Sequence, residues 1–138
     1  MARKSNWPAA LSLFLAEKQA QPFDWTTNNC AFFASDWIAI LTGIDPAAEY
    51  RADVDSALSA ARMLATHDGI EAITEKECTA RGWSEVGPRL AQRGDICIVD
   101  TGDGPAVGVC TGERAAFAGP TGITVAPMAA CRRAWRII

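Results

Sequence analysis

Two hydrophobic periods divide this chain. Up to Trp83 apolar residues recur at helical spacing, and from residue 94 onward they come in short alternating or continuous runs. Ala10, Leu11, Phe14 and Leu15 form an amphipathic face behind Pro8, which suits a first helical turn, and Gln21 and Pro22 end that helix. A second helix is predicted to start at Asn28 and Asn29, both good N-caps, and to stop at Gly43 in "LTGIDP". Its Phe33 and Trp37 lie four residues apart on one face and are expected to be buried. Residues 45–83 stay helical but more polar, with Asp55 or Ser56 capping "ALSAARMLATH" and Gly69 restarting the chain into "IEAITEKECTARG". Then "GDICIVD", "AVGVCT", "RAAFAG", "ITVAP" and "RAWRII" alternate with "TGDG", "GE" and "GPTG" turns, predicting five antiparallel strands. Helices first and strands afterwards is an α+β pattern. The expectation is one domain over residues 1–138, with a helical insert at 45–83 and a sheet at 94–138 that carries the N-terminal helices on one face.

Composition agrees with a single core, since 138 residues of which 49% are apolar suffice for one but hardly for two. Thirteen Lys and Arg against 16 Asp and Glu leave a net charge of −3 and no basic excess, so nucleic acid is not an expected partner. The first apolar stretch is interrupted by Glu17, Lys18 and Gln19, which predicts neither a signal peptide nor a membrane span and places synthesis in the cytoplasm.

Five cysteines, Cys30, Cys78, Cys97, Cys110 and Cys131, are widely spaced and odd in number, unlike a disulfide framework, and no CxxC pair suggests zinc. Most read as small buried hydrophobes. A metal or cluster site would draw on Cys97 and Cys110 from neighbouring strands with one other cysteine. The "TGDG" stretch lacks the lysine of a phosphate loop and reads as a hairpin turn, so no cofactor is expected.

Cys30 stands apart because it falls in the first turn of the second helix. Unpaired amides and the helix dipole stabilise a thiolate there, and the same amides suit an oxyanion hole. Amide cleavage also needs a base that takes the thiol proton and later protonates the leaving amine. The chain has a single histidine, His67 in "LATHDG", which reads as a helix-end residue in the insert.

The stretches "WTTNNC", "RGDICIVD", "AVGVCTGERAAFAGPTGITV" and "CRRAWRI" resemble the NlpC-type branch of the papain-like cysteine peptidases, which cut the peptide stems of bacterial cell walls. The likeness is closer still to small proteins of that fold encoded among phage and prophage tail genes. It spans residues 23–138 and is weakest over the insert. The resemblance implies that Cys30 stands at the nucleophile, and that Gly94 and Asp95 form the glycine-aspartate pair opening the first core strand. It places the family's histidine at Ala106, which accepts no proton, and the residue that orients it near Ala115 to Ala118. Losing general acid–base assistance costs roughly 100 to 10,000-fold in rate. The implied function is therefore a structural or assembly component of a phage tail tip, located in the virion and partnered by other tail-tip proteins such as a tail hub. The alternative is an active peptidoglycan-cleaving hydrolase that uses Cys30 with an unconventional base.

Five tryptophans add a surface expectation. Trp25, Trp83 and Trp135 lie near element ends and are expected to be less central than Trp37. Arg132, Arg133 and Arg136 surround Trp135, and Trp with Arg is a common interface pairing. On a strand, Arg132, Ala134 and Arg136 would share one face and Arg133, Trp135 and Ile137 the other, giving a terminal strand suited to docking on a partner.

Overall fold

The computed structural model describes residues 3–138. Helix α1, Trp7–Lys18, has Pro8 in its first turn and buries Leu11 and Phe14. Helix α2, Cys30–Thr42, begins where the Asn29 side chain accepts the Phe32 amide at 2.9 Å, and it stops at Gly43, whose φ of +84° lies in the left-handed region that favours glycine. Phe14 packs its ring against Phe33 at 5.2 Å and Trp37 at 5.6 Å, which fixes α1 against α2. Phe33 and Trp37 are both buried, as their helical spacing predicts.

Residues 45–83 hold three helices, α3 (Ala48–Arg51), α4 (Ala57–Thr66) and α5 (Ile70–Ala80). Ser56 and Ser59 cap α4 reciprocally. These helices share a small core with α2, built on Phe32, Tyr50, Val54, Met63 and Ile73.

The sheet has six strands, not the expected five: β1 (Glu85–Val86), β2 (Ile96–Thr101), β3 (Gly104–Cys110), β4 (Arg114–Gly119), β5 (Gly122–Pro127) and β6 (Cys131–Trp135). Their order is β1-β6-β2-β3-β4-β5, with every pair antiparallel. Strand β1 extends the sheet upstream of residue 94, and two residues are too few to show a period. The chain therefore does not meander to its end. After β5 it crosses over the sheet through a 3-10 turn at Met128–Ala130, and β6 inserts between β1 and β2.

That crossing explains why β2 is buried on both faces. Ile96, Ile98, Val107, Val109 and Trp135 meet α1 and α2 in the main core. Cys97, Val99, Ala115, Cys131 and Ala134 form a second apolar layer on the opposite side, covered by Ala91, Met128 and Ala130 from the connecting turns. Trp135 is 1% exposed, as central as Trp37, and Trp83 is also buried; of the three tryptophans expected nearer the surface, Trp25 alone is exposed.

Candidate functional site

The loop before α2 is tied down by its own polar residues. Asp24 accepts the Thr26 amide at 2.8 Å, the Thr26 hydroxyl at 2.7 Å and the Thr27 amide at 3.2 Å, and these hydrogen bonds, Thr26 foremost, hold its pKa below the usual carboxylate value. Asn28 donates to the carbonyls of Gln21 and Pro22, and Asn29 donates to that of Trp25 at 2.9 Å. The asparagines and Asp24 thus act together as a turn that delivers Cys30 to the first position of α2.

Strands β3 and β4 pair only through Val109 with Ala116 and Cys110 with Ala115. Beyond those pairs they part, and a groove of about 780 Å³ opens beside Cys30. Phe23, Trp25, Met63, Leu64 and Phe117 make its walls apolar, and Phe23 meets Trp25 edge to face at 4.8 Å. Ala106 lines the same groove, so the residue at the resemblance's histidine position and the candidate nucleophile share one space. Phe117 and Ala118 line it where the resemblance puts the orienting residue. Phe23 and Trp25 sit in one short segment before α2 whereas Phe117 comes from β4, far along the chain, and no periodicity signals their convergence.

The chemistry available to Cys30 is narrow. Burial pushes its thiol up from the ordinary value, opposed by the nearby amides of Val107, Ala31 and Cys30 itself. The helix N-terminus was expected to favour the thiolate; desolvation outweighs it here. Apart from Cys30, the one ionisable side chain among the described residues lining the groove is Asp103, exposed on the β2–β3 turn. His67 caps the end of α4 and meets the Tyr50 ring edge to face at 5.2 Å, outside the groove.

A thiol held neutral should be slow to alkylate. At pH 7 iodoacetamide is expected to modify Cys30 more slowly than free cysteine, with Cys30→Ala identifying the site by mass. Faster labelling than free cysteine would show an activated thiolate instead. The same substitution should cost about 1 kcal/mol in a denaturation experiment, the usual size for a small loss of packing.

The arginine-rich end of the chain is committed internally. Arg133 lies over the Trp135 ring at 4.8 Å and pairs with Glu85 at 2.7 Å, Glu71 at 3.1 Å and Glu75 at 3.2 Å; hydrogen bonds to Glu85 and Glu75 lead in raising its pKa. Arg132 bridges Glu71 and Asp100, and Arg136 reaches Asp95 and donates to the Leu90 carbonyl at 2.7 Å. These contacts clamp β6 to α5 and β1. The expected docking strand is thus an interior strand, and Trp135 has no surface to offer a partner.

Among the described residues, no group of three or more His, Cys, Asp and Glu side chains is placed to hold a metal ion, and no helix is long and apolar enough to cross a membrane. The model of a family described as a domain of unknown function, DUF6950, matches residues 2–137. The chain belongs to that family. No curated protein matches it.

Proposed function

We propose that this DUF6950 protein is a papain-like domain of the NlpC type that keeps the nucleophile's place without its base, and that it works as a non-catalytic component of a phage tail tip. The observation that carries the inactive reading is the shared groove: Cys30 on the first turn of α2 and Ala106 on β3 line it together, and no imidazole does. A thiol kept neutral by burial and an alanine opposite cannot supply the proton transfers that amide cleavage needs. The apolar walls remain suited to holding a peptide or a neighbouring chain without turning it over. The tail-tip assignment, with a tail hub or similar protein as partner and the virion as location, rests on the resemblance of "WTTNNC" and "RGDICIVD".

Two measurements test the two halves separately. Purified protein incubated with peptidoglycan stem peptides should release no product above a Cys30→Ala control. Turnover by the wild type that disappears in that variant would put the hydrolase in place of the inactive reading. Mass spectrometry of purified particles from a phage or prophage that encodes the chain should find it in the virion, and Cys30→Ala should leave assembly intact. Absence from the particles would sink the tail assignment whatever the enzymatic result.

A further inference from the structure

Strands β3 and β4 follow one another in the chain, and their pairing stops early. Val109 pairs with Ala116 and Cys110 with Ala115; the same register would next bring Gly108 to Phe117 and Val107 to Ala118, and neither pair forms. The direction of each backbone group follows from the hydrogen bonds at the closed end. On the β2 side Cys110 donates to the Asp95 carbonyl at 2.7 Å and accepts the Gly94 amide at 2.8 Å, so by alternation Val109, Val107 and Pro105 turn their backbone groups toward β4. Glu113 accepts the Met128 amide at 3.0 Å on the β5 side, and Arg114 accepts the Thr111 amide at 2.8 Å on the β3 side, so Arg114, Ala116 and Ala118 face β3.

Ala116 finds Val109 there, whereas Ala118 faces the gap. Its N–H and C=O are aimed into the groove beside Cys30, which Ala118 lines, and among the described residues no loop or helix backbone group takes them up. The neighbouring Gly119 carbonyl, by contrast, accepts the Phe23 amide at 2.8 Å. Ala118 is only 8% exposed, and buried backbone groups are almost always paired. A donor and an acceptor side by side on one residue match the backbone of another strand, which an apolar small molecule cannot reproduce. The opposite wall favours the same edge: Pro105 stands on the open side of β3 with no N–H to give, which blunts β3 and leaves β4 as the edge that pairs. Phe23, Trp25 and Phe117 supply apolar walls for side chains on either side of such a strand. The one charge at the groove that is fixed at neutral pH is negative, on exposed Asp103, and no Lys or Arg lines it.

We propose that an extended apolar segment of a partner protein, carrying a lysine or arginine, docks in this groove by strand addition, pairing its backbone with Ala118 of β4 and placing its cation toward Asp103. The proposal rests on the non-catalytic reading of the groove and gives it a partner class: a polypeptide strand held by its main chain.

The test begins with a random heptapeptide library selected on the full chain, using an Ala106→Trp variant, which fills the groove, to discard peptides that bind elsewhere. Enriched peptides should alternate apolar residues and contain Lys or Arg. An analogue N-methylated at the residue opposite Ala118 keeps every side chain but loses a backbone donor, and should bind about tenfold more weakly. Saturating peptide should slow hydrogen exchange at the Ala118 amide at least about tenfold and leave that of Val125, which by the same alternation faces outward from β5, unchanged. Asp103→Asn should weaken binding a few fold at low salt and have no effect at high salt. These measurements use the wild-type protein or a substitution on an exposed turn, so they decide the matter even where Ala106→Trp fails to fold. A library that enriches no peptide for the groove, N-methylated analogues that all bind as tightly as their parents, or an Ala118 amide that exchanges as fast in the complex would each overturn the proposal. The two readings fail separately. A selected peptide that pairs with Ala118 and is then cut in a Cys30-dependent way would end the inactive reading and leave strand docking intact, whereas a protein that cuts nothing and selects nothing would do the reverse.

Discussion

Trp37→Ala should lower the unfolding free energy by roughly 3 to 5 kcal/mol, the cost of emptying a large aromatic site in a close-packed core. Trp37 is 0% exposed and stands where α1, α2 and the sheet meet, with the Phe14 ring 5.6 Å away. Its indole N–H also donates to the Gly94 carbonyl at 2.9 Å, inside the fold. Truncation thus leaves a cavity and an orphaned carbonyl at once, and the second adds about 1 to 3 kcal/mol wherever water cannot reach it. Gly94 itself has a φ of +89°, in the left-handed region, and a β-carbon placed there would stand 3.5 Å from that ring, so the indole covers this turn directly. Trp37→Phe separates the contributions: it restores part of the volume, lacks the donor, and should cost less than alanine. Urea denaturation at constant slope measures both, and a loss under about 1 kcal/mol for Trp37→Ala would contradict the packing described here.

The elements that were legible in the sequence are those whose signal is local. Asn29 and Gly43 mark the ends of α2 because capping depends on a few neighbouring backbone groups. Gly69 and Ser56 mark helix starts for the same reason. The alternation along "CRRAWRII" was legible too: Arg133 and Trp135 do share a face, and the ring lies beneath the guanidinium. What the alternation cannot convey is which strand lies on either side. A chain-terminal strand reads as an edge, and only the crossover after β5 reveals that β6 lies inside the sheet, between β1 and β2.

The candidate site divides the same way. Cys30 was found by its local position at a helix start. The groove beside it depends on β3 and β4 parting after two residue pairs, a consequence of sheet geometry that leaves no trace in "AVGVCT" or "RAAFAG". The direction of the Cys30 shift was misjudged from sequence because the dipole is a local property and burial is a global one. When the two oppose, the depth of the site decides. Cys97 and Cys131 fall in one apolar layer because the inserted strand β6 lies beside β2, an adjacency that the order of strands along the chain does not convey.

Asp95→Ala should be as damaging as the tryptophan truncation, at about 3 to 5 kcal/mol, because it removes one partner of a buried ion pair and leaves the other. Asp95 is 0% exposed at the start of β2 and accepts the Arg3 guanidinium at 2.5 Å, the Arg136 Nε at 3.3 Å, the Gln92 amide at 2.8 Å and the Ile137 amide at 3.4 Å. One carboxylate therefore joins the beginning of the described chain, the turn before β2 and the segment after β6. Arg3 is bound further by the carbonyls of Ile137 at 2.6 Å and Arg93 at 2.8 Å, so it cannot swing out to water without breaking those as well. Burial already pulls the Arg3 guanidinium below its ordinary pKa, and Asp95 is the chief group opposing that pull. With alanine at position 95 the charge stays buried and uncompensated. A double-mutant cycle distinguishes this from mere loss of packing: once Arg3→Met has removed the stranded charge, Asp95→Ala should cost less than it does alone, by a coupling of about 0.5 to 3 kcal/mol. Additive losses in the cycle would mean that Asp95 acts through its backbone contacts to Gln92 and Ile137, and that the ion pair with Arg3 contributes nothing net.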